Sequence, residues 1–300
     1  MEKPHLEKLN ATLENPKLPK HDALRVKKAI KRYDEWITNL QKIEPGRENI
    51  ISDMVKMTNE YKLYIELNLI FDSREDFLYR QRGQLKLDNT IIEEFLPLLV
   101  TKAIPELSNG VELGPRSCYS TAYFSSTLAY ENVGGGLHIK TKDQDFAIAR
   151  KLYIKSSHNS DFSKSIIKDT YLAYVVAECK TNLDKTMFQE AAATAHDVKT
   201  VVPGAKYFLL CEWLDMSPIS TAPTDIDEVL ILRKSKRLSS NIRSKYNIYA
   251  GRKAAREQYK NFLVNNPYRY EVFERFINHI IGILKDHTPN ENNVLEVGYF

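Results

Sequence analysis

Between Tyr171 and Asn182 the chain reads YLAYVVAECKTN, with apolar or small residues at eight of its first nine positions. A run this short, and this rich in Tyr and Val, suits a buried strand. It closes on two opposite charges, Glu178 and Lys180. Successive side chains alternate along a strand, so residues two apart share a face. The same spacing at Glu60–Lys62 and Asp197–Lys199 falls in segments that read as helices. There, residues two apart diverge by about 200°.

An antiparallel partner lies just upstream. DQDFAIARKLYIK reads as a strand, and the polar loop SSHNSDFSKS, centred near residue 161, joins the two. Paired positions in a hairpin sum to a constant, so Glu178 faces a residue near position 145, which is Asp145. Asp143 takes that place if the register slips by two. Asp145, Glu178 and Lys180 then gather at one end of the hairpin. Two carboxylates and the carbonyl of Cys179 offer Mg²⁺ the hard oxygen ligands it prefers. A metal there would lower the pKa of an attacking water and neutralise charge on a phosphodiester. Lys180 would orient or help deprotonate that water. The plain alternative is a surface ion pair at a fraying strand end.

The first 70 residues read as helical. HDALRVKKAIKRYDEWITNLQ carries Leu24, Ala29, Trp36, Ile37 and Leu40 at helical spacing, and a second helix runs from about Glu48 to Phe71. In LDNTIIEEFLPLLV, Thr90 and Glu93 have the spacing of a capping box, Ile92, Phe95, Leu96 and Leu99 form a stripe, and Pro97 should kink the helix. Glu93 and Glu94 suit the positive end of that helix, and one of them could reach the metal site. From Gly110 the pattern turns to strands, with VGGGLH a turn and AKYFLLCEWL a further strand. NLDKTMFQEAAATAHDV is a helix capped by Asn182 and ended by Pro203 and Gly204, TAPTDID is a surface loop, and RKAAREQYKNFL and RYEVFERFINHIIGIL are helices. This predicts an α/β core over residues 76–232, between a helical region at 1–75 and a basic, mainly helical one at 233–300.

Charge is unevenly spread. Ten Lys or Arg and one acid, Glu257, lie between Arg233 and Lys260, whereas 33 basic and 38 acidic residues make up the remainder. A solvated helix face would interleave acids, so this excess points to a polyanion. Arg233, Lys234, Lys236, Arg237, Arg243, Lys245, Arg252, Lys253 and Arg256 are the candidate DNA contacts, most of them to phosphate. Lys27, Lys28, Lys31 and Arg32 form a second basic surface.

Other chemistries lack their motifs: there is no Walker A loop, GxGxxG, GxSxG or HExxH. His158 lies in a polar loop and reads as solvated. No apolar run reaches the roughly 18 residues of a membrane span, and MEKPHLEKLN has no apolar leader core. Cys118, Cys179 and Cys211 form no CxxC pair, so a reduced, cytosolic protein without structural zinc is the simplest expectation.

An acid on one strand, ExK closing the next and a helix after it resemble the PD-(D/E)xK nuclease superfamily. RQRGQLKLDNTIIEEFLPLLV, DFAIARKLYI, VVAECKTNLDKTMFQEAAATA and VPGAKYFLLCEWLDM resemble Type II restriction endonucleases, in particular the group of BbvCI and its Bpu relative, over about residues 20–280. The resemblance implies a restriction-endonuclease-like α/β core, a mixed central sheet flanked by helices. It also implies Mg²⁺-dependent, sequence-specific cleavage of double-stranded DNA, at a site that is asymmetric in that group. The partner would be a second nuclease subunit, a related chain or an identical copy. The expected location is the bacterial cytoplasm, away from membranes. By resemblance Asp145 is the first motif acid, and Glu178 and Lys180 are the ExK positions. The helical acid before the core falls on Glu93 or Glu94, with Glu94 preferred, and Gln189 is the polar residue in the helix after ExK. The first acid follows Gln144, where the family pattern has proline. A structure-specific repair or recombination nuclease and a DNA-binding subunit without chemistry are the competing expectations.

Overall fold

The computed structural model describes residues 2–108 and 110–285, with positions 295 and 298. Its helices before the sheet are α1 (Pro4–Leu13), α2 (Lys20–Gln41), α3 (Ile50–Leu63, continued as a π-helix over Tyr64–Phe71), α4 (Phe77–Leu85) and α5 (Thr90–Ala103). Strands β1 (Glu112–Phe124), β2 (Leu137–Ser156) and β3 (Ile166–Leu183) then form an antiparallel run. Helix α6 (Lys185–Val201) crosses to β4 (Lys206–Leu214), which pairs in parallel with β3, and β5 (Glu228–Ile231) pairs in parallel with β4. Sheet order follows chain order. Helices α7 (Ser240–Ser244), α8 (Tyr249–Asn265) and α9 (Tyr270–Leu284) complete the fold. None of the helices among the described residues is long and apolar enough to cross a membrane.

The strand period sorts the core into two layers. Phe146, Ile148, Val175, Ala177, Phe208 and Leu210 join one apolar cluster with residues of α1–α5, α8 and α9. Ala147, Ala149, Val176, Tyr207, Leu209 and Cys211 pack instead on Phe188, Ala191, Ala195 and Val198 of α6. With both faces covered, the central strands read as continuous apolar runs. Phe276 of α9 meets Phe146 and Phe208 edge-on at 5.9 and 5.2 Å, pinning the last helix to the sheet.

Four local expectations are corrected. Leu24 is 72% exposed; the buried stripe of α2 is Val26, Ala29, Tyr33, Trp36, Ile37 and Leu40, and Leu24 sits about 200° around the helix from Val26. Asn182 still belongs to β3, and α6 is capped by Asp184, whose carboxylate accepts the Met187 N–H at 2.9 Å. No capping box forms at Thr90. Its hydroxyl donates to the Lys86 carbonyl at 2.7 Å and meets His5 Nδ1 at 3.0 Å, which leaves Glu93 free to turn elsewhere. Pro97, expected to kink this helix or to confine its first part to a short turn, does not confine it: α5 runs from Thr90 to Ala103 with Pro97 inside.

Candidate active site

The β2–β3 register ends with Phe146 paired to Ala177; continued by one residue it would set Asp145 opposite Glu178. Asp145 Oδ2 accepts the Cys179 N–H at 2.9 Å. The N–H and C=O of one strand residue point the same way, so the Cys179 carbonyl faces this gap too. Glu178 Oε1 meets Lys180 Nζ at 2.6 Å, and Glu178 Oε2 accepts from the Tyr207 hydroxyl at 2.5 Å. The strand end opens into a cleft of about 590 Å³ whose lining includes Asp145, Cys179, Lys180 and Asp88. Arg80, Arg82, Lys86 and Arg237 make that cleft cationic. Asp143 lies outside it, bonded to Ser117 on β1.

Burial sets the electrostatics. It raises the Asp145 carboxyl, opposed by the Cys179 N–H and the Lys180 and Lys86 charges. It works against the Lys180 ammonium, yet Glu178 and Asp145 outweigh it and hold this lysine protonated above its ordinary range. Glu93 is pushed up to about 7, first by burial and then by the charge of Asp145. Its Oε1 is buried without a hydrogen-bond partner. The Cys179 thiol is raised far from ionisation by burial and by the surrounding carboxylates, so its backbone is its usable donor. Among the described residues no three His, Cys, Asp or Glu side chains converge as a ready-made metal cluster. Both oxygens of Glu178 are occupied, by Lys180 and Tyr207.

Several expected site residues lie elsewhere. Glu94 faces away from the cleft: its carboxylate accepts from Tyr33 and from the N–H groups of His5 and Leu6, tying α1 to α2 and α5. The neighbouring Glu93 is the acid that approaches Asp145. Gln189 is exposed on α6 and lies outside the cleft lining. Arg233 is buried: it bonds Glu66 at 2.7 Å and Glu212 at 3.2 Å, and its guanidinium stacks over Trp213 and Tyr268. Lys62 completes that cluster, 2.7 Å from Glu212 and 3.6 Å from Glu66. Arg252 is also fully buried, donating to the carbonyls of Phe71, Ser73, Glu75 and Tyr246. Neither arginine can reach a phosphate. Arg256 is held bidentate by Asp72 at 2.7 and 2.8 Å, and Lys234 pairs with Glu271 at 2.5 Å. Lys236, Lys245 and Lys253 are exposed, and Arg243 is partly so, 3.8 Å from Asp215. Of the nine candidate contacts, Arg237 lines the cleft.

The sequence reading missed Tyr207 and the α4 cations Arg80, Arg82 and Lys86. Tyr207 has no local signal, since it looks like one more apolar residue of KYFLLCEWL. The α4 cations were visible as RQRGQLK, but a short segment with three cations is outweighed by the longer basic block downstream.

A mixed sheet between two helical layers, with acids and a lysine at its open end above a cationic cleft, defines a restriction-endonuclease-like fold. A solved structure described as the native BbvCI A2B2 tetramer at low resolution shares that fold. It matches with a TM-score of 0.64 over 96% of this chain and 100% of that chain, at 17% identity. The model of the Bpu10I restriction endonuclease family matches residues 84–300, and the chain belongs to that family. It is a Type II restriction enzyme, a site-specific deoxyribonuclease. No curated protein matches the chain.

Proposed function

We propose that this chain is a Mg²⁺-dependent subunit that hydrolyses one strand of double-stranded DNA at a specific, asymmetric sequence, with Asp145, Glu178 and Lys180 as the PD-(D/E)xK set. The observation that carries this reading is Asp145 bonded, on the lining of a cationic cleft, to the N–H of Cys179, which lies between Glu178 and Lys180 in the chain, with Lys180 bonded to Glu178. The donor set fits the metal. Asp145 raises the proton affinity of Glu93 and Glu178 raises that of Asp145, Glu93 Oε1 lacks a partner, and the Cys179 carbonyl faces the same gap. Glu93, Asp145 and the Cys179 carbonyl would hold Mg²⁺, with Glu178 alongside. When bound, it supplies positive charge against the phosphodiester oxygens and a lowered pKa for the attacking water. The chain's own residues do the remainder. Lys180, kept charged by Glu178, orients that water and stabilises the developing negative charge. Tyr207 holds the Glu178 carboxylate still. The positive charge of the cleft wall attracts the DNA backbone without reading sequence.

A second nuclease subunit is the proposed partner, supported by the A2B2 description of the matching structure. The bacterial cytoplasm is the proposed location. Plasmid DNA with Mg²⁺, with and without a related second subunit, tests the reading. Wild type should give discrete nicks or cuts and Glu178→Ala none; equal cutting by both would remove the assigned site.

A further inference from the structure

Lys86 occupies a position that normally belongs to glycine. At the end of α4 the Leu87 N–H donates to the Arg82 carbonyl and the Lys86 N–H to that of Gly83, both at 3.3 Å. These are the two bonds of a Schellman motif, whose first residue past the helix takes the left-handed conformation. Glycine adopts it freely, whereas a Cβ makes it strained. Here the residue is lysine, at φ 50° and ψ 36°. The helix stop itself gains nothing from this side chain.

The cleft shows what the side chain can do. Lys86 is exposed and lines the same cavity as Asp145 and Lys180. Other cations there are engaged: Lys180 with Glu178, Arg237 with Asp215 at 3.0 Å, and Arg80 with Asp76 at 3.6 Å. Arg82 is folded over the Tyr79 ring, 4.0 Å from its centroid. Lys86 has no salt-bridge partner within 4.0 Å among the described residues. Its charge still bears on the site: burial raises the Asp145 and Glu93 carboxyls, and Lys86 pulls both back down. Strained backbone held without a structural return is a mark of functional positions. Resting on the nuclease site proposed above, we propose that Lys86 binds a phosphate of the cleaved strand, directly beside Asp145 and Lys180.

Full-length Lys86→Gly, Lys86→Arg and Glu178→Ala test this, each with the second subunit if cleavage requires one. Three quantities are read: Tm, cleavage rate, and the salt dependence of binding to a short duplex without metal. Lys86→Gly should raise Tm, because glycine relieves the left-handed backbone. It should also weaken binding and slow cleavage roughly tenfold or more, and flatten the slope of log K against log salt by about 0.9. Lys86→Arg should keep the wild-type slope. If Lys86→Gly keeps wild-type slope and rate while Glu178→Ala is inactive, Lys86 is only a helix stop and the proposal falls alone. If Glu178→Ala cuts like wild type, the underlying site falls and this proposal falls with it.

Discussion

Two clusters of acids and cations lie within this chain, built from the same residue types and put to opposite ends. Lys62, Glu66, Glu212 and Arg233 are buried against Trp213 and Tyr268, each acid matched by a cation. Asp145 and Lys180 line a cleft, Glu178 is bonded to Lys180 beside it, and the nearby Glu93 keeps a buried carboxylate oxygen without a partner. In the first cluster, burial works against the Lys62 and Arg233 charges, but the acids around them prevail and hold both ionised. At the cleft the balance is incomplete, and Glu93 sits near neutrality. The difference teaches that a buried ionic cluster is recognised as a site by the bonding capacity it withholds, not by its composition. A charge-saturated cluster has nothing to offer a guest.

The contrast can be broken most severely at Lys180. Lys180→Ala should lower the cleavage rate by roughly 10²–10⁴-fold, with the folded protein retained, as plasmid cutting and Tm measured together would show. Arg233→Ala should do the reverse. Removing one partner of a buried ionic group costs about 3–5 kcal/mol, read by denaturant unfolding, while the salt slope of DNA binding stays as in wild type. A flattened slope would return Arg233 to the DNA surface. Glu93→Gln sharpens the comparison through pH. The folded-state pKa is raised from 4.5 to about 7, so the folded chain holds the extra proton and stability falls as pH rises through that window. The variant should match wild type near pH 4.5 and exceed it at pH 8, by up to about 3 kcal/mol. Equal pH profiles for the two proteins would exclude the Glu93–Asp145 confrontation. The smallest effect is expected at Tyr207→Phe, which removes the hydroxyl from Glu178 Oε2. One lost charge-assisted bond should slow cutting about tenfold at saturating metal, and an unchanged rate would make Tyr207 a packing residue.

The hairpin was legible because pairing is close to a sum rule: a loop centred near 161 brings Glu178 to within a residue of Asp145, and a register shift between Ile148 and Ala149 moves the pairing by the last residue. The helices after residue 245 and the stripe of α5 were legible because period 3.6 survives over several turns. Choosing Glu94 over Glu93 failed because adjacent helical residues point about 100° apart. The stripe of Ile92, Phe95 and Leu96 does not say which side its neighbours cover, and the helical reading of the first 70 residues does not say that His5 and Leu6 of α1 hold Glu94. Arg233 was misread because a charge count runs along the chain, and its neutralising acids arrive from Glu66 and Glu212. The four-residue β5 is too short for any period to declare itself.

The buried guanidinium of Arg252 has a consequence for synthesis. It fastens the carbonyls of Phe71, Ser73 and Glu75, just ahead of α4, to a helix made about 180 residues later. A ribosome that has released residues 1–231 has already delivered Asp145, Glu178 and Lys180 in a complete sheet. The segment leading into the cationic wall must still wait for its anchor. The three residues of the chemistry are thus synthesised before the anchor of the surface that would hold a substrate against them.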